Sequence, residues 1–229
     1  MNGLNGAALV LIPCYNEEKK IALVVQEVRG MGYETLVVDD GSTDKTSDIL
    51  RSLDTHFLIS SDNRGKGAAL QLGFRWFLDR SYDVLVMMDA DGQHEAAEIP
   101  KFIRTLHESK ADIVVGNRLE NPGPMPFLRV CTNRFMSALL SSLAGQKIPD
   151  TQCGFRALRR RVLEKIRLSC TRFEIESEML LEAAKEGFRI QSLPVRALYK
   201  KGDRESNIHP LVDTVRFFKF VRPYLSKKF

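Results

Sequence analysis

The sequence predicts an α/β fold: a mostly parallel sheet with helices on both faces. Three observations carry this. Short apolar, β-branched runs at 7–12, 35–39, 56–60, 84–88 and 112–116 alternate with segments of helical periodicity. The first run is apolar throughout, as a strand buried on both faces must be. The first, second and fourth runs end in acids or turn residues, where an open parallel sheet binds its ligand, outside the carboxyl ends of its strands.

The elements follow in order. Ala7-Ala8-Leu9-Val10-Leu11-Ile12 is stopped by Pro13, and Asn16, Glu17 and Glu18 place acids in the first turn of a helix. That helix continues through Ile21, Leu23, Val24, Val25 and Val28. Thr35-Leu36-Val37-Val38 runs into Asp39-Asp40-Gly41, a turn, and then Ser42-Thr43-Asp44, which suits a helix N-cap. Ala68 through Leu78 reads as helix, and Val84-Leu85-Val86-Met87-Met88 as a buried strand. After Asn117 the rhythm changes: the prolines of Asn121-Pro122-Gly123-Pro124-Met125-Pro126 bar regular structure, and a helix follows over 127–144. The segment 150–200 reads as short strand, helix, helix, strand. From 209 to 225, Leu211, Val212, Val215, Phe218 and Val221 recur at helical spacing beside Arg216, Lys219 and Arg222. Such an amphipathic helix either packs into the core or lies among membrane headgroups.

At 229 residues the chain suits a single domain (1–229) with a substantial core. Cys14, Cys131, Cys153 and Cys170 form no C-x-x-C pair and have no metal-ligand spacing, which points to reduced thiols in the cytoplasm. The first residues lack a basic n-region, so no signal peptide is expected. No stretch approaches the roughly 18–20 apolar residues that span a bilayer. The net charge of +5 is concentrated late: Lys200, Lys201, Arg204, Arg216, Lys219, Arg222, Lys227 and Lys228 face only Asp203, Glu205 and Asp213. That excess suits phosphates or an anionic membrane, and it reads equally as a solvated charged face. Nothing resembles a nucleic-acid module, so no nucleic-acid partner is expected.

Met88-Asp89-Ala90-Asp91-Gly92 is the most informative stretch. Side chains alternate along a strand, so Asp89 and Asp91 point the same way. Two such acids at the end of a buried strand are costly unless a cation neutralises them. Mg²⁺ or Mn²⁺ fits, as a hard cation that takes carboxylate oxygens and bridges diphosphates. The alternative is a pair of acids that cap the next helix or face solvent.

Pro13-Cys14-Tyr15-Asn16-Glu17, Val38-Asp39-Asp40-Gly41-Ser42-Thr43-Asp44, Asn63-Arg64-Gly65-Lys66-Gly67 and Asp89-Ala90-Asp91-Gly92-Gln93-His94 resemble the ordered motifs of family 2 glycosyltransferases. Asp150-Thr151-Gln152-Cys153-Gly154-Phe155-Arg156 is similar to the dolichyl-phosphate mannose and glucose synthase branch, with its bacterial polyprenyl-phosphate relatives. The likeness runs from about residue 7 to 200, and motifs in shared order are more specific than any one alone. It implies the glycosyltransferase-A fold, with the nucleotide sugar in about 1–118 and the acceptor in about 119–229.

The resemblance also implies roles. Asp91 becomes the direct metal ligand, with Asp89 ligating or touching the ribose and Gln93 adding a neutral oxygen. His94 reads equally as a surface or a functional histidine. Asp40 would accept from the ring N–H of the base, Pro13 and Tyr15 would floor it, and Glu17 would accept from ribose hydroxyls. Lys66 would line the donor cleft. Many relatives carry Ser-Lys where this chain has Ser206-Asn207, which moves the diphosphate contact onto Arg204 or Lys201.

Acceptor chemistry decides the mechanism. A polyprenyl phosphate is already ionised near neutral pH and needs no strong base. It needs cations that hold it in line for displacement with inversion. Arg118 and Arg129 match phosphate-binding arginines of the branch and are expected to act at the reacting centre, with Arg134 and Arg156 as further candidates. Arg156 also reads as half of a structural salt bridge. A sugar hydroxyl would instead require a carboxylate base. No acid after residue 120 stands out for it, Asp150, then Glu176 and Glu178, being the candidates, and Asp150 reads better as ordering its own loop.

The leading expectation is an inverting, metal-dependent transferase that moves a hexose from a GDP-mannose- or UDP-glucose-type donor to a polyprenyl phosphate. It would be cytoplasmic and peripheral at the inner membrane face, by direct contact or through a separate membrane-protein partner. Two alternatives stand beside it: transfer to a hydroxyl of a cell-envelope polysaccharide or glycolipid, and a non-catalytic nucleotide- or lipid-binding scaffold. The intact acids at 40, 89 and 91 argue against the scaffold.

Overall fold

The structure is a computed structural model that describes residues 8–196, 198 and 210–225. Arg204, with Lys200, Lys201, Ser206, Asn207, Lys227 and Lys228, lies outside the described residues.

The elements are β1 (Ala8–Cys14), α1 (Ile21–Gly30), β2 (Glu34–Asp39), α2 (Thr46–Ser52), β3 (His56–Ile59), α3 (Lys66–Leu78) and β4 (Val84–Met87). A 3-10 turn (Ala96–Glu98) leads to α4 (Ile99–Glu108), β5 (Ile113–Asn117), α5 (Phe127–Ala144), β6 (Arg156–Arg159), α6 (Arg160–Lys165), α7 (Ile175–Lys185), β7 (Ile190–Pro194) and α8 (Pro210–Leu225). Each apolar run of the sequence forms a strand, and α5 has the bounds its proline loop and periodicity predict.

Seven strands form one sheet in the order β3-β2-β1-β4-β6-β5-β7. Strands β1, β4 and β5 are buried from end to end, which is why their sequences do not alternate. The edge strands β3 and β7 are half-exposed. Every pairing is parallel except those of β6, which runs antiparallel between β4 and β5.

That reversal positions the site. With Met87 opposite Arg156, the chain entering β6 passes the carboxyl end of β4. Gly154 therefore lies against the Asp89 carboxylate, and any Cβ on it would collide with the Asp89 oxygens. A strand from the second half of the chain thus buttresses an acid of the first.

The described part of α8 packs one side against the fold and leaves other residues exposed. Phe217 and Val221, one turn apart, are buried against Leu140 of α5 and Leu181 of α7. The Tyr224 hydroxyl donates to Glu182 Oε1 at 3.0 Å. Phe218 lies about 100° round from Phe217. It is 45% exposed, and Leu225 is 59% exposed.

Candidate active site

The turns after β1 and β2 are stitched together. Asn16 holds a left-handed φ of 56°. Its Oδ1 accepts from the Thr43 and Asp44 backbone N–H groups at 2.8 and 3.3 Å. Its own N–H donates to Ser42 Oγ at 2.8 Å, and Glu17 N–H donates to Thr46 Oγ1 at 2.8 Å. Asp39 spends its carboxylate on this turn, accepting from Ser42 N–H at 3.0 Å, from Ser42 Oγ at 2.6 Å and from Ser47 Oγ.

Asp40 reaches a different partner set. Its oxygens accept from the Arg64 and Gly65 N–H groups at 3.0 and 2.7 Å, so the loop before α3 hangs on it. A Cβ on Gly67 would sit 2.5 Å from the Thr171 carbonyl carbon, so the chain leading to α7 presses on the first turn of α3.

Beyond β4, Asp89 Oδ1 accepts from Lys66 Nζ at 2.5 Å. The same ammonium donates to Glu176 Oε1 at 2.8 Å. His94 Nε2 stands 3.8 Å from Asp89 Oδ2. Burial pushes the Asp89 carboxyl upward, but Lys66 and then His94 prevail and hold it well below the usual carboxylate range. Asp91 is the opposite case: burial first, and the Asp89 charge second, raise its pKa. Asp91 Oδ1 accepts from Gln93 N–H at 2.9 Å, and Lys20 Nζ donates to the Asp91 carbonyl at 2.7 Å. His94 is buried, tilted against Phe155, and its Nδ1 has no hydrogen-bond partner among the described residues. The surface reading of this histidine is therefore corrected: the turn after β4 folds it inward over the sheet end.

At the other end, Arg118 Nε and Nη2 donate to Asp150 Oδ2 and Oδ1 at 2.8 and 3.0 Å. Arg129 is half-buried in the first turn of α5. Arg134 lies on the exposed side of that helix, where Nη2 donates to the Leu119 carbonyl at 3.5 Å. Arg156 is fully buried and donates to the carbonyls of Cys153, Glu176 and Thr151 at 2.8, 2.6 and 2.8 Å. It is structural, as one reading held, but its partners are backbone carbonyls and not a carboxylate. Glu178 is likewise spent, accepting from Ser169 N–H and Oγ and from Cys170 N–H.

One cleft of about 750 Å³ brings most of these together. Pro13, Tyr15, Glu17 and Asp40 line it with Lys66, Asp89, Asp91, Gln93, Arg118 and Arg129. Sequence reasoning missed Lys20, Gln152, Arg172 and Phe173, which also line it. Gln152 stood inside a motif already singled out. The other three carry no local signal, because only tertiary packing brings α1 and the α7 entrance to the rim.

The acidic pair suits a hard divalent cation. Two shielded carboxylates share the site, and burial first and the Asp89 charge second raise Asp91. Among the described residues no three His, Cys, Asp or Glu side chains gather as a complete metal site. A Mg²⁺-type ion bound by one or two carboxylates completes its shell with water and phosphate oxygens, so this donor set fits.

The family model described as glycosyl transferase family 2 matches residues 9–167. The chain is 35% identical to polyprenol monophosphomannose synthase of Mycolicibacterium smegmatis, over 82% of this chain and 76% of that one. It is 28% identical to a UDP-N-acetylglucosamine–dolichyl-phosphate N-acetylglucosaminyltransferase of Methanococcus voltae, over 95% of this chain and 96% of that one. Among solved structures, glucosyl-3-phosphoglycerate synthase of Mycobacterium tuberculosis, crystallised with Mn²⁺ and UDP, superposes with a TM-score of 0.69 at 20% identity. That superposition covers 96% of this chain and 78% of that one, and it shows the shared glycosyltransferase-A fold. With the family match spanning six of the seven strands, the chain belongs to glycosyl transferase family 2.

Proposed function

We propose that the protein is an inverting, metal-dependent hexosyltransferase that moves a sugar from a nucleotide-sugar donor of the GDP-mannose or UDP-glucose type to a polyprenyl phosphate. One observation carries the choice of acceptor. Glu176 is the only carboxylate of the second half lining the cleft among the described residues, and it is engaged by Lys66. Asp150 is locked on Arg118, and Glu178 on the Ser169–Cys170 backbone. An acceptor hydroxyl would find no unengaged base there, whereas a phosphate brings its nucleophilic oxygen already ionised. The similarity to the M. smegmatis synthase supports the same reading.

Pro13 and Tyr15 floor the base. Asp40 keeps its loop ordered and still has lone pairs for a ring N–H, since a carboxylate offers about four acceptor sites. Glu17 accepts from the ribose. Asp89, Asp91 and Gln93 would hold Mg²⁺ or Mn²⁺, which when bound neutralises charge on the departing diphosphate. Arg129 grips the acceptor phosphate, and Arg118, anchored by Asp150, adds positive potential beside it. Arg204 is assigned to the diphosphate by resemblance.

The acceptor is a lipid, so the enzyme must meet a membrane, and we assign it to the cytoplasmic face. No helix among the described residues is long and apolar enough to cross one. Contact is instead supported by the outer side of α5, where Phe127, Leu128 and Phe135 are 82%, 78% and 60% exposed. Phe135 meets Phe218 of α8 with ring centroids 6.4 Å apart. Arg134, Lys219 and Arg222 are the exposed charges here, and α5 contains no acid, which suits anionic lipid. A membrane-protein partner remains compatible with this face.

A donor panel with undecaprenyl phosphate tests this reading. Nucleotide should be released from one donor only when the lipid phosphate is present, and NMR should show the anomeric configuration inverted. Retention of configuration, or release indifferent to the lipid, would overturn it.

A further inference from the structure

Lys66 binds two carboxylates from opposite halves of the chain, and one of them is the acid expected to meet the metal. The Lys66 side chain is 15% exposed, Asp89 27% and Glu176 10%, so solvent screens these charges little. Asp89 is crowded from three directions, and its remaining surface faces the cleft. Lys66 Nζ takes Oδ1 at 2.5 Å, His94 Nε2 stands 3.8 Å from Oδ2, and the Gly154 Cα closes the approach from β6. Asp91, by contrast, has Oδ1 on one backbone N–H. A dication approaching the pair therefore meets one receptive carboxylate and one already held by an ammonium.

We propose that Lys66 is a built-in competitor for the divalent cation, so that the free protein holds the ion weakly and takes it up together with the nucleotide diphosphate. Glu176 sets the strength of this competition by drawing Lys66 away from Asp89. The inference rests on the metal-binding reading above and goes beyond it. The diphosphate relieves the conflict twice: its oxygens add ligands to the ion, and they offer Lys66 Nζ another anion, releasing Asp89 Oδ1. Ion and nucleotide then strengthen each other's binding by the same factor.

Mn²⁺ binding read from the electron paramagnetic resonance signal of the free ion tests this without turnover. It is measured on purified protein with and without GDP or UDP. Lys66→Met should bind Mn²⁺ roughly tenfold tighter than wild type in the absence of nucleotide, a typical size for such coupling. The enhancement by nucleotide should shrink correspondingly. Glu176→Gln leaves Lys66 to Asp89 alone, so nucleotide-free affinity should fall and the enhancement should grow. A general charge effect would shift affinity equally with and without nucleotide, leaving the enhancement unchanged, and that result overturns the proposal. If circular dichroism shows Lys66→Met unfolded, Glu176→Gln decides, and unchanged or tighter binding overturns the proposal. Wild type that binds no Mn²⁺ even with nucleotide removes the metal reading itself, and the competition with it.

Discussion

Arg118 and Asp150 form a buried two-pronged pair, with the Arg118 backbone N–H also donating to Asp150 Oδ2 at 3.1 Å. Asp150 is fully buried. The pair fixes the corner between β5 and the Asp150–Arg156 motif, and it turns the most prominent acid of the second half into an anchor. Asp150→Ala should therefore act on stability first. Removing the carboxylate from this buried pair should cost about 3–5 kcal/mol. Chemical denaturation checks this. A stable variant that has lost only turnover would make Asp150 a base.

Arg129→Ala should raise the KM for the lipid phosphate with donor affinity unchanged. Loss of one charge-assisted contact is worth about 1.5–3 kcal/mol, or roughly ten- to a hundredfold. Steady-state kinetics with each substrate varied separately reads the split. A loss confined to donor binding would move Arg129 to the other end of the cleft.

Asp40→Asn should weaken the donor more than it slows bound-state chemistry, since base recognition is mostly uniform binding. The structure adds a second effect. An amide has one acceptor oxygen where Asp40 uses two, so the Arg64 or Gly65 N–H loses its partner. The loop before α3 should become more open to limited proteolysis, and nucleotide should restore protection only in part. Normal donor KM with lost kcat would place Asp40 at the reacting centre.

Thiol chemistry can report the membrane face. Cys131 is exposed on the outer side of α5 beside Phe127, Leu128 and Phe135. Burial raises the Cys14 thiol, and it pushes Cys153 and Cys170 up to about 12, so these should react slowly at neutral pH. Cys131 should be the fast thiol, and anionic vesicles should protect it at low salt but not at high salt. Phe127→Ser with Phe135→Ser should abolish the protection. Labelling unchanged by vesicles would leave this face to a protein partner.

Much of the frame was readable because it is local. Strands β1, β2, β4 and β5 announce themselves as short apolar or β-branched runs, and α5 lies between a proline loop and Gly145. The four residues of β6, Arg-Ala-Leu-Arg, read as a short strand, but nothing local says that they run antiparallel between β4 and β5. That pairing is tertiary, and it alone explains why Gly154 faces Asp89. At the site, the residues at strand ends were legible because their chemistry and position coincide. The Lys66–Glu176 bridge joins residues 110 positions apart, so no spacing could reveal it. Asp39 and Asp40 look alike as a dipeptide, and only the folded turn divides them into a loop anchor and a cleft wall. Arg156 was read toward carboxylate or phosphate, whereas burial gave it three carbonyls.

The most direct test of the account is the mass of the lipid product formed from undecaprenyl phosphate and from undecaprenol, each with Mn²⁺ and with excess chelator. The account predicts a hexosyl-phosphate lipid in one condition alone, undecaprenyl phosphate with Mn²⁺, and its loss in Asp91→Ala. Equal transfer to undecaprenol, or full turnover in excess chelator, would contradict it.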